Sequence, residues 1–300
     1  MKNYYEIVEE NKIKSSLIIG GFIAFVSMAA YFISFAIGAD SSALLIALVI
    51  STLTSVGSYY YSDKIILSMS GARPATRKEF FDFYTVTENL VKVAQIPMPR
   101  LYVIDDTAMN AFATGRDPQH AVVCATTGLL SRLNRAEIEG VVAHELAHVR
   151  HYDIRLMGLI SVLVGSVTLL ADWLLRFSMF GERKRDENNG NLGAIMFVVG
   201  LIFALLSPII AQLIQLAVSR RREFFADAGA VALTKNPQGL IRALEKISGD
   251  TEPLEAANKA TAHLYIANPL KNHHDAIGWF SKLFSTHPPV KERIKALQGF

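Results

Sequence analysis

The sequence predicts a mainly α-helical chain with a small β-sheet, an α+β protein that crosses a membrane several times. Of its 300 residues 51% are hydrophobic, long uncharged runs alternate with charged segments, and short strand-like stretches occur only in the middle. A net charge of +3 without a basic stripe argues against a nucleic-acid partner. Cys124 is the only cysteine, which excludes a disulfide framework and a cysteine-ligated zinc cluster.

Two uncharged runs near the amino terminus predict a transmembrane hairpin. Residues 16–38 and 41–62 are each about as long as a bilayer-spanning helix, and only residues 39 and 40 separate them. A cleaved signal peptide is the alternative, but its apolar part is shorter and no second run follows it directly. Two later runs, at 156–171 and 192–219, predict a second transmembrane pair, whose first helix is short for a span.

The segments between these runs predict the soluble elements. Helices are expected where apolar residues recur at helical spacing, and strands where turn residues bound short apolar stretches. Asn134 followed by Glu137 is a capping-box pair that marks the start of one helix. The predicted helices lie within 76–95, 134–153, 235–248 and 288–298, and the predicted strands within 100–104, 109–114 and 121–128.

Lysine and arginine residues predict the orientation in the membrane. They flank the open side of the hairpin and follow the last apolar run, which places both termini and the soluble body in the cytoplasm. The loop at 176–192 also holds basic residues and departs from this rule. The predicted parts are a cytoplasmic amino-terminal segment (1–15), the hairpin (16–62), a first soluble part (63–155), the second transmembrane pair (156–219) and a second soluble part (220–300).

The segment His144-Glu145-Leu146-Ala147-His148 has the spacing of a metal site. On a helix its two histidines share a face, so both imidazoles reach one ion, and neutral imidazole suits zinc. Glu145, next to the first histidine, would take a proton from a metal-activated water. The alternative is a helix whose two histidines merely face the interior.

A third ligand is expected from the segment SRRREFFADAGAV. A catalytic zinc has three protein ligands and one open position. Glu223 lies on a predicted helix and is the candidate ligand, with Asp227 one turn later on the same face. Asp227 would then accept the outer N–H of a ligand histidine, for which His144 is the candidate. A salt bridge from Glu223 to the neighbouring arginines is the alternative.

Four motifs, NAFATG, HELAH, SRRREFFADA and STHPP, combine with four apolar runs in an order that closely resembles the HtpX-type membrane zinc metalloproteases. These proteases are relatives of the CAAX prenyl protease and, more distantly, of thermolysin-like gluzincins. The resemblance covers essentially the whole chain. It implies a gluzincin-like metalloprotease domain with one Zn²⁺ per chain, anchored in the cell (inner) membrane. The implied activity is endoproteolysis of misfolded or damaged membrane proteins, as quality control, from the cytoplasmic side.

The resemblance also assigns the metal site and the substrate site. It makes His144, His148 and Glu223 the zinc ligands and Glu145 the general base. Asn110, Ala111 and the adjoining Phe112 match the edge strand that pairs with substrate. Such an edge binds any extended peptide through main-chain hydrogen bonds, which gives broad specificity. An ordinary buried strand is the alternative for this segment.

Three further residues match the family near the site. His287 matches a late histidine that donates to the oxyanion of the tetrahedral intermediate, or else it is a surface histidine that caps a helix. Asp153 falls where relatives carry an acid, for which we expect a structural role. Arg293 is expected to hold an active-site carboxylate in place.

The expected partners are therefore the lipid bilayer and unfolded or membrane-protein polypeptides, and no pattern indicates an oligomeric state. Rival interpretations are an intramembrane protease, a processing protease of the prenyl-protein type, and a non-catalytic scaffold with a structural zinc or none. The charged residues around the HELAH motif argue against the first, because charge is costly in hydrocarbon. The smaller number of spans argues against the second, and a set of three ligands argues against the third.

Overall fold

The computed structural model describes residues 4–36, 42–163, 165, 220–257, 261–267, 269 and 288–300. Most of the predicted second transmembrane pair (156–219) and His287 lie outside this part of the chain. The division of the chain into five parts stays a prediction.

Two long helices occupy the amino-terminal region. Helix α1 (Tyr4–Ala36) begins well before the first apolar run, and α2 (Ser42–Met69) continues past the end of the second. The two helices pack against each other, and the hydroxyls of Ser27 and Ser51 lie 3.4 Å apart. Across the described residues, no helix combines the length and the apolar character that a membrane crossing requires.

Within the described residues four strands form one mixed sheet. They are β1 (Arg73–Pro74), β2 (Arg100–Ile104), β3 (Ala111–Thr114) and β4 (Val122–Thr126), in the order β1-β2-β4-β3. Strands β2 and β4 are parallel, and β3 runs antiparallel to β4. The three predicted strands are confirmed, whereas β1 is too short to give a sequence pattern. Strand β3 is an edge strand of this sheet.

Helix α5 (Arg135–Arg150) contacts both β3 and β4 and packs against three other helices. The predicted capping box is present, since the Asn134 side chain accepts from Glu137 N–H at 3.0 Å and the Glu137 side chain accepts from Asn134 N–H at 2.9 Å. The other helices here are α3 (Phe81–Ala94), α4 (Thr127–Arg132), α6 (Arg220–Thr234), α7 (Pro237–Gly249) and α8 (Val290–Leu297).

Two glycines set how closely other helices approach α5. A Cβ at Gly229 of α6 would lie 2.8 Å from the Ala147 side chain, and one at Gly140 of α5 would lie 2.5 Å from the Leu240 backbone of α7. Contacts that short exclude any side chain, so glycine is required for this packing. The close approach of α6 brings Glu223 to the face of α5 that carries the histidines.

Candidate metal centre

Three side chains from α5 and α6 converge in the interior. His144, His148 and Glu223 are 1%, 6% and 1% exposed, and one ligand atom from each lies within 4.8 Å of the other two. His144 Nε2 lies 3.3 Å from His148 Nε2. The Glu223 oxygens lie 3.7 Å from His144 Nε2 and 3.6 Å from His148 Nε2.

These separations fit a tetrahedral metal. Zinc binds histidine nitrogen at about 2.0–2.1 Å, and tetrahedral angles then put two ligand atoms about 3.3 Å apart. The two imidazoles already stand at this separation, and the carboxylate lies a few tenths of an ångström further out. Two imidazoles and one carboxylate are also a donor set that zinc prefers, and three protein ligands leave a position open.

The outer nitrogen of His144 is held by the carboxy-terminal part of the chain. Its Nδ1 lies 2.9 Å from Asp227 Oδ1. Arg293 of α8 is completely buried and donates to both Asp227 oxygens, from Nε at 2.9 Å and from Nη2 at 2.6 Å. Its Nη1 lies 3.5 Å from a Glu223 oxygen. Arg293 thus neutralises two buried carboxylates beside one histidine.

The outer nitrogen of His148 is held differently. Its Nδ1 lies 3.0 Å from Asp153 Oδ2, and Asp153 is only 1% exposed. The other Asp153 oxygen accepts an N–H from the Asn11 amide of α1 at 2.8 Å. The Arg222 guanidinium lies further away, with its Nε 3.6 Å from the same oxygen. A carboxylate on the outer nitrogen fixes the tautomer that presents Nε2 to a metal.

The two environments shift the histidine pKa values in opposite directions. Burial and the nearby Arg293 cation lower the pKa of His144 to about 4, despite its bond to Asp227. Burial also lowers the pKa of His148, but Asp153 and the Glu223 and Glu145 carboxylates outweigh it and raise that pKa to about 9. Burial would raise the pKa of Asp227 too, but Arg293 and His144 hold it below its usual range.

Glu145 lies between the metal ligands and the sheet. It is 2% exposed, and burial raises its pKa to about 7, the range in which a general base works best. The backbone N–H of Ala113, on the edge strand β3, acts in the opposite direction and lowers this pKa.

The register of β3 determines which backbone groups face outward. Thr126 N–H donates to Asn110 O at 3.0 Å. Hydrogen-bonded pairs alternate in an antiparallel ladder, so Phe112 directs its backbone toward β4, whereas Ala111 and Ala113 direct theirs to the outer edge. The Phe112 side chain is fully buried, which gives it a place in the core.

The chain itself covers one end of this edge. Ile266 N–H donates to Ala111 O at 2.9 Å. The Asn110 side chain donates to Ala267 O at 3.0 Å and accepts from Ala267 N–H at 3.3 Å. The Asn110 side chain and the Ala111 carbonyl, on the strand that the family resemblance assigns to substrate, are therefore bound to residues 266 and 267 in this structure.

Glu145 adjoins an apolar region whose lining comes from α3, α4, α5, β3 and β4 and which is packed too tightly to admit a water molecule. Three of its lining residues, Phe83, Leu130 and Ile138, also line a cavity of about 280 Å³. That cavity reaches Glu79 and Asp82 near the start of α3.

The structure brings together most of the residues that the sequence singled out. The histidines, Glu223, Asp227, Asp153 and Arg293 form one contiguous buried group. Sequence reasoning missed Asn11 and Arg222, which both face Asp153. Asn11 is a single polar residue among charged ones, and nothing in that pattern predicts that it is buried. Arg222 is one of three adjacent arginines, which the sequence does not distinguish from one another.

Comparison with known proteins agrees with this geometry. The model of the family described as Peptidase family M48 matches residues 78–300. A Protease HtpX homolog of Dictyoglomus turgidum is 44% identical over 299 residues, which cover 98% of this chain and 94% of that protein. A Protease HtpX homolog of Thermoanaerobacter pseudethanolicus is 40% identical over 300 residues, which cover 99% and 98%.

One solved structure shares the fold. The crystal structure of S. mikatae Ste24p superposes with a TM-score of 0.51 at 20% sequence identity, and the match covers 98% of this chain and 67% of that one. At this identity the likeness shows the fold alone. The family match and the two relatives confirm the predicted resemblance: the chain belongs to peptidase family M48 and is a metalloprotease.

Proposed function

We propose that the protein is a membrane-attached zinc endopeptidase that hydrolyses unfolded or damaged polypeptides, membrane proteins among them. The buried group of His144, His148 and Glu223 is the observation that carries the proposal, because its spacing fits one tetrahedral ion. The zinc ligands are these three residues, and Glu145 is the general base.

A zinc ion held by His144, His148 and Glu223 would supply a Lewis acid that acidifies a water and polarises the scissile carbonyl. Glu145 takes the proton from the attacking water as the new carbon–oxygen bond forms. It then delivers that proton to the amide nitrogen as the carbon–nitrogen bond breaks, which leaves a carboxylate and an amine. The outer carboxylates Asp227 and Asp153 hold the imidazoles.

A substrate strand would pair with the outer edge of β3. Main-chain pairing reads no side chains, so it suits a protease that acts on many sequences. For Asn110 and Ala111 to bind a substrate, residues 266 and 267 must first leave this edge.

Exposed apolar side chains on α2 support attachment to a bilayer. A large contiguous apolar surface on a soluble chain is unusual and marks contact with lipid or protein. The exposed fraction ranges from 44% to 67% among seven apolar residues of α2: Leu45, Ile46, Leu48, Val49, Ile50, Leu53 and Val56. Beside them, cations lie over three tyrosines, an arrangement typical of the membrane interface: Arg155 over Tyr59, Arg116 over Tyr60, and Lys64 over Tyr61.

The site lies close in sequence to this interfacial group. Only the turn at residues 151 and 152 separates the end of α5 from the helical residues that contain Arg155. We therefore place the metal at the membrane's edge, on the cytoplasmic side that the basic residues indicate. A structural zinc would need four protein ligands, and the cluster in the described part of the chain offers three.

The test is zinc analysis and proteolysis of the purified protein. We expect one zinc per chain and cleavage of casein by the wild type. Glu145→Gln should retain the zinc and lose cleavage, because the amide cannot accept the proton. Glu139→Gln, the same change on the same helix outside the cluster, is the matched control and should cleave normally. Wild-type cleavage by Glu145→Gln would refute the assigned base, and zinc without any cleavage would favour a scaffold.

A further inference from the structure

Asn11 is a buried polar residue on the amino-terminal helix. It is 1% exposed, although it lies among charged residues just before the first apolar run. Its Nδ2 donates to His151 O at 2.9 Å and to Asp153 Oδ1 at 2.8 Å. Both N–H groups of the amide are therefore used, and both partners are acceptors, which fixes the orientation of the amide.

The turn that Asn11 contacts is conformationally demanding. Tyr152 has φ 61°, a left-handed conformation that non-glycine residues seldom adopt. This turn ends α5 at His151 and directs Asp153 back toward His148. Lys12, next to Asn11, lies 4.8 Å from the centre of the Tyr152 ring. Adjacent residues of α1 thus brace the turn from outside.

Asp153 is the point where three helices meet. One oxygen faces His148 Nδ1 of α5, and the other receives Asn11 of α1 and lies near Arg222 of α6. Arg222 directly precedes Glu223, the third candidate ligand. The hydrogen bond from Asn11 therefore acts on Asp153, the carboxylate that orients His148. Asp153 also lies near Arg222, the residue next to Glu223.

We propose that Asn11 is a positioning residue of the metal centre: it holds Asp153, and through Asp153 it holds His148 in the orientation that binds zinc. This inference rests on the proposed function, because it assumes a metal at the histidines. It makes α1 part of the catalytic assembly. The metal site is complete only while the first turns of α1 are docked on residues 151–153.

The experiment measures zinc affinity of the full-length protein in detergent, by competition with a chromophoric chelator. Asn11→Leu keeps the side-chain size and removes both donors, and it should weaken zinc binding about tenfold, the lower end of what indirect ligand support contributes. Ser15→Ala is the matched control: Ser15 is buried one turn further along α1, and its hydroxyl bonds only to Asn11 O. Its zinc affinity should stay within about twofold of the wild type.

A double variant separates positioning from general structural damage. Asp153→Asn alone should weaken zinc binding, and adding Asn11→Leu to it should weaken binding no further, because the route through Asp153 is already lost. Additive losses would overturn the inference. If Asn11→Leu does not fold, judged by the thermal melt of the metal-free protein, Asn11→Ala removes the same donors without a branched side chain and replaces it in both comparisons.

The outcomes distinguish this inference from the proposed function. Zinc binding by the wild type with equal affinity in Asn11→Leu and Ser15→Ala would overturn the role of Asn11 and leave the protease intact. No zinc binding by the wild type would overturn both. A tenfold loss in Asn11→Leu that disappears in the Asp153→Asn background would support both.

Discussion

The two histidines of the candidate metal centre lie one helical turn apart, yet residues from different ends of the chain contact them. His144 contacts Asp227 of α6, which is bound in turn by Arg293 of α8. His148 contacts Asp153, which accepts a hydrogen bond from Asn11 of the amino-terminal helix α1. One short motif on α5 is therefore completed from both ends of the sequence.

The difference between the two supports is one of charge. Both histidines face a carboxylate, but Arg293 makes a two-point ion pair with Asp227, whereas Asp153 receives a neutral amide and a more distant guanidinium. Burial lowers the pKa of both histidines, and beside His144 the Arg293 cation helps to lower it to about 4. Beside His148 the Asp153, Glu223 and Glu145 carboxylates outweigh burial and raise the pKa to about 9.

The largest effect should be a loss of folding stability when Arg293, the cation beside His144, is removed. Arg293→Met leaves the buried carboxylates Asp227 and Glu223 without their counter-charge, which costs about 3–5 kcal/mol in comparable cases. Guanidinium unfolding of the metal-free protein measures the loss. Arg77→Met is the control, because Arg77 pairs with Glu88 at the surface and should matter little. Equal losses in the two variants would contradict the account.

Removing either outer carboxylate should have the next largest effect. Asp227→Asn and Asp153→Asn should each lower zinc affinity about 10–100-fold, because each releases a ligand imidazole from its fixed orientation. Chelator competition measures both, with Asp117→Asn at the surface as the reference. If only one of the two substitutions lowered the zinc affinity, only one of the two carboxylates would orient a ligand, which would contradict the account.

The pH dependence of zinc binding tests the difference in charge. Between pH 6 and 8, His148 of the metal-free protein is protonated, since its pKa is raised to about 9, whereas His144 is neutral, since its pKa is lowered to about 4. Zinc must displace the His148 proton, so its apparent affinity should rise about tenfold for each pH unit over this range. An affinity that is constant from pH 6 to 8 would show that neither histidine is protonated.

The smallest effect on zinc affinity should come from a substitution that changes neither the Asp227–Arg293 pair nor the Asn11–Asp153 pair. Asn134→Ala removes the capping box at the start of α5, which should cost about 1 kcal/mol of stability. Zinc affinity should stay within about twofold of the wild type, because the histidines lie at the other end of the helix. A large loss of zinc affinity here would mean that the whole of α5, and not its two supports, positions the ligands.

Local chemistry made much of the site predictable. The HELAH spacing places two imidazoles on one helix face, and the two carboxylates of α6 share a face one turn apart. Asn134 and Glu137 predicted the start of α5 to the residue. Each of these predictions depends on residues within a few positions of one another, for which helix geometry alone decides the outcome.

The features that escaped prediction depend on contacts between distant parts of the chain. Asn11 and Asp153 lie 142 residues apart, and nothing in the composition around Asn11 indicates where α1 will dock. No sequence pattern predicts the contact of Ile266 either. Its N–H donates to the outward-facing carbonyl of Ala111, on the strand that the family resemblance assigns to substrate. Strand β1 has two residues, too few for any alternating pattern.

The coordination of zinc in the purified protein tests the central claim most directly. X-ray absorption at the zinc edge should show two imidazole nitrogens and oxygen ligands at about 2.0–2.1 Å, with no sulfur. Glu145→Gln should give the same ligand set, because Glu145 is the base and not a ligand. A sulfur ligand, or a shell without imidazole, would contradict a metal centre built from His144, His148 and Glu223.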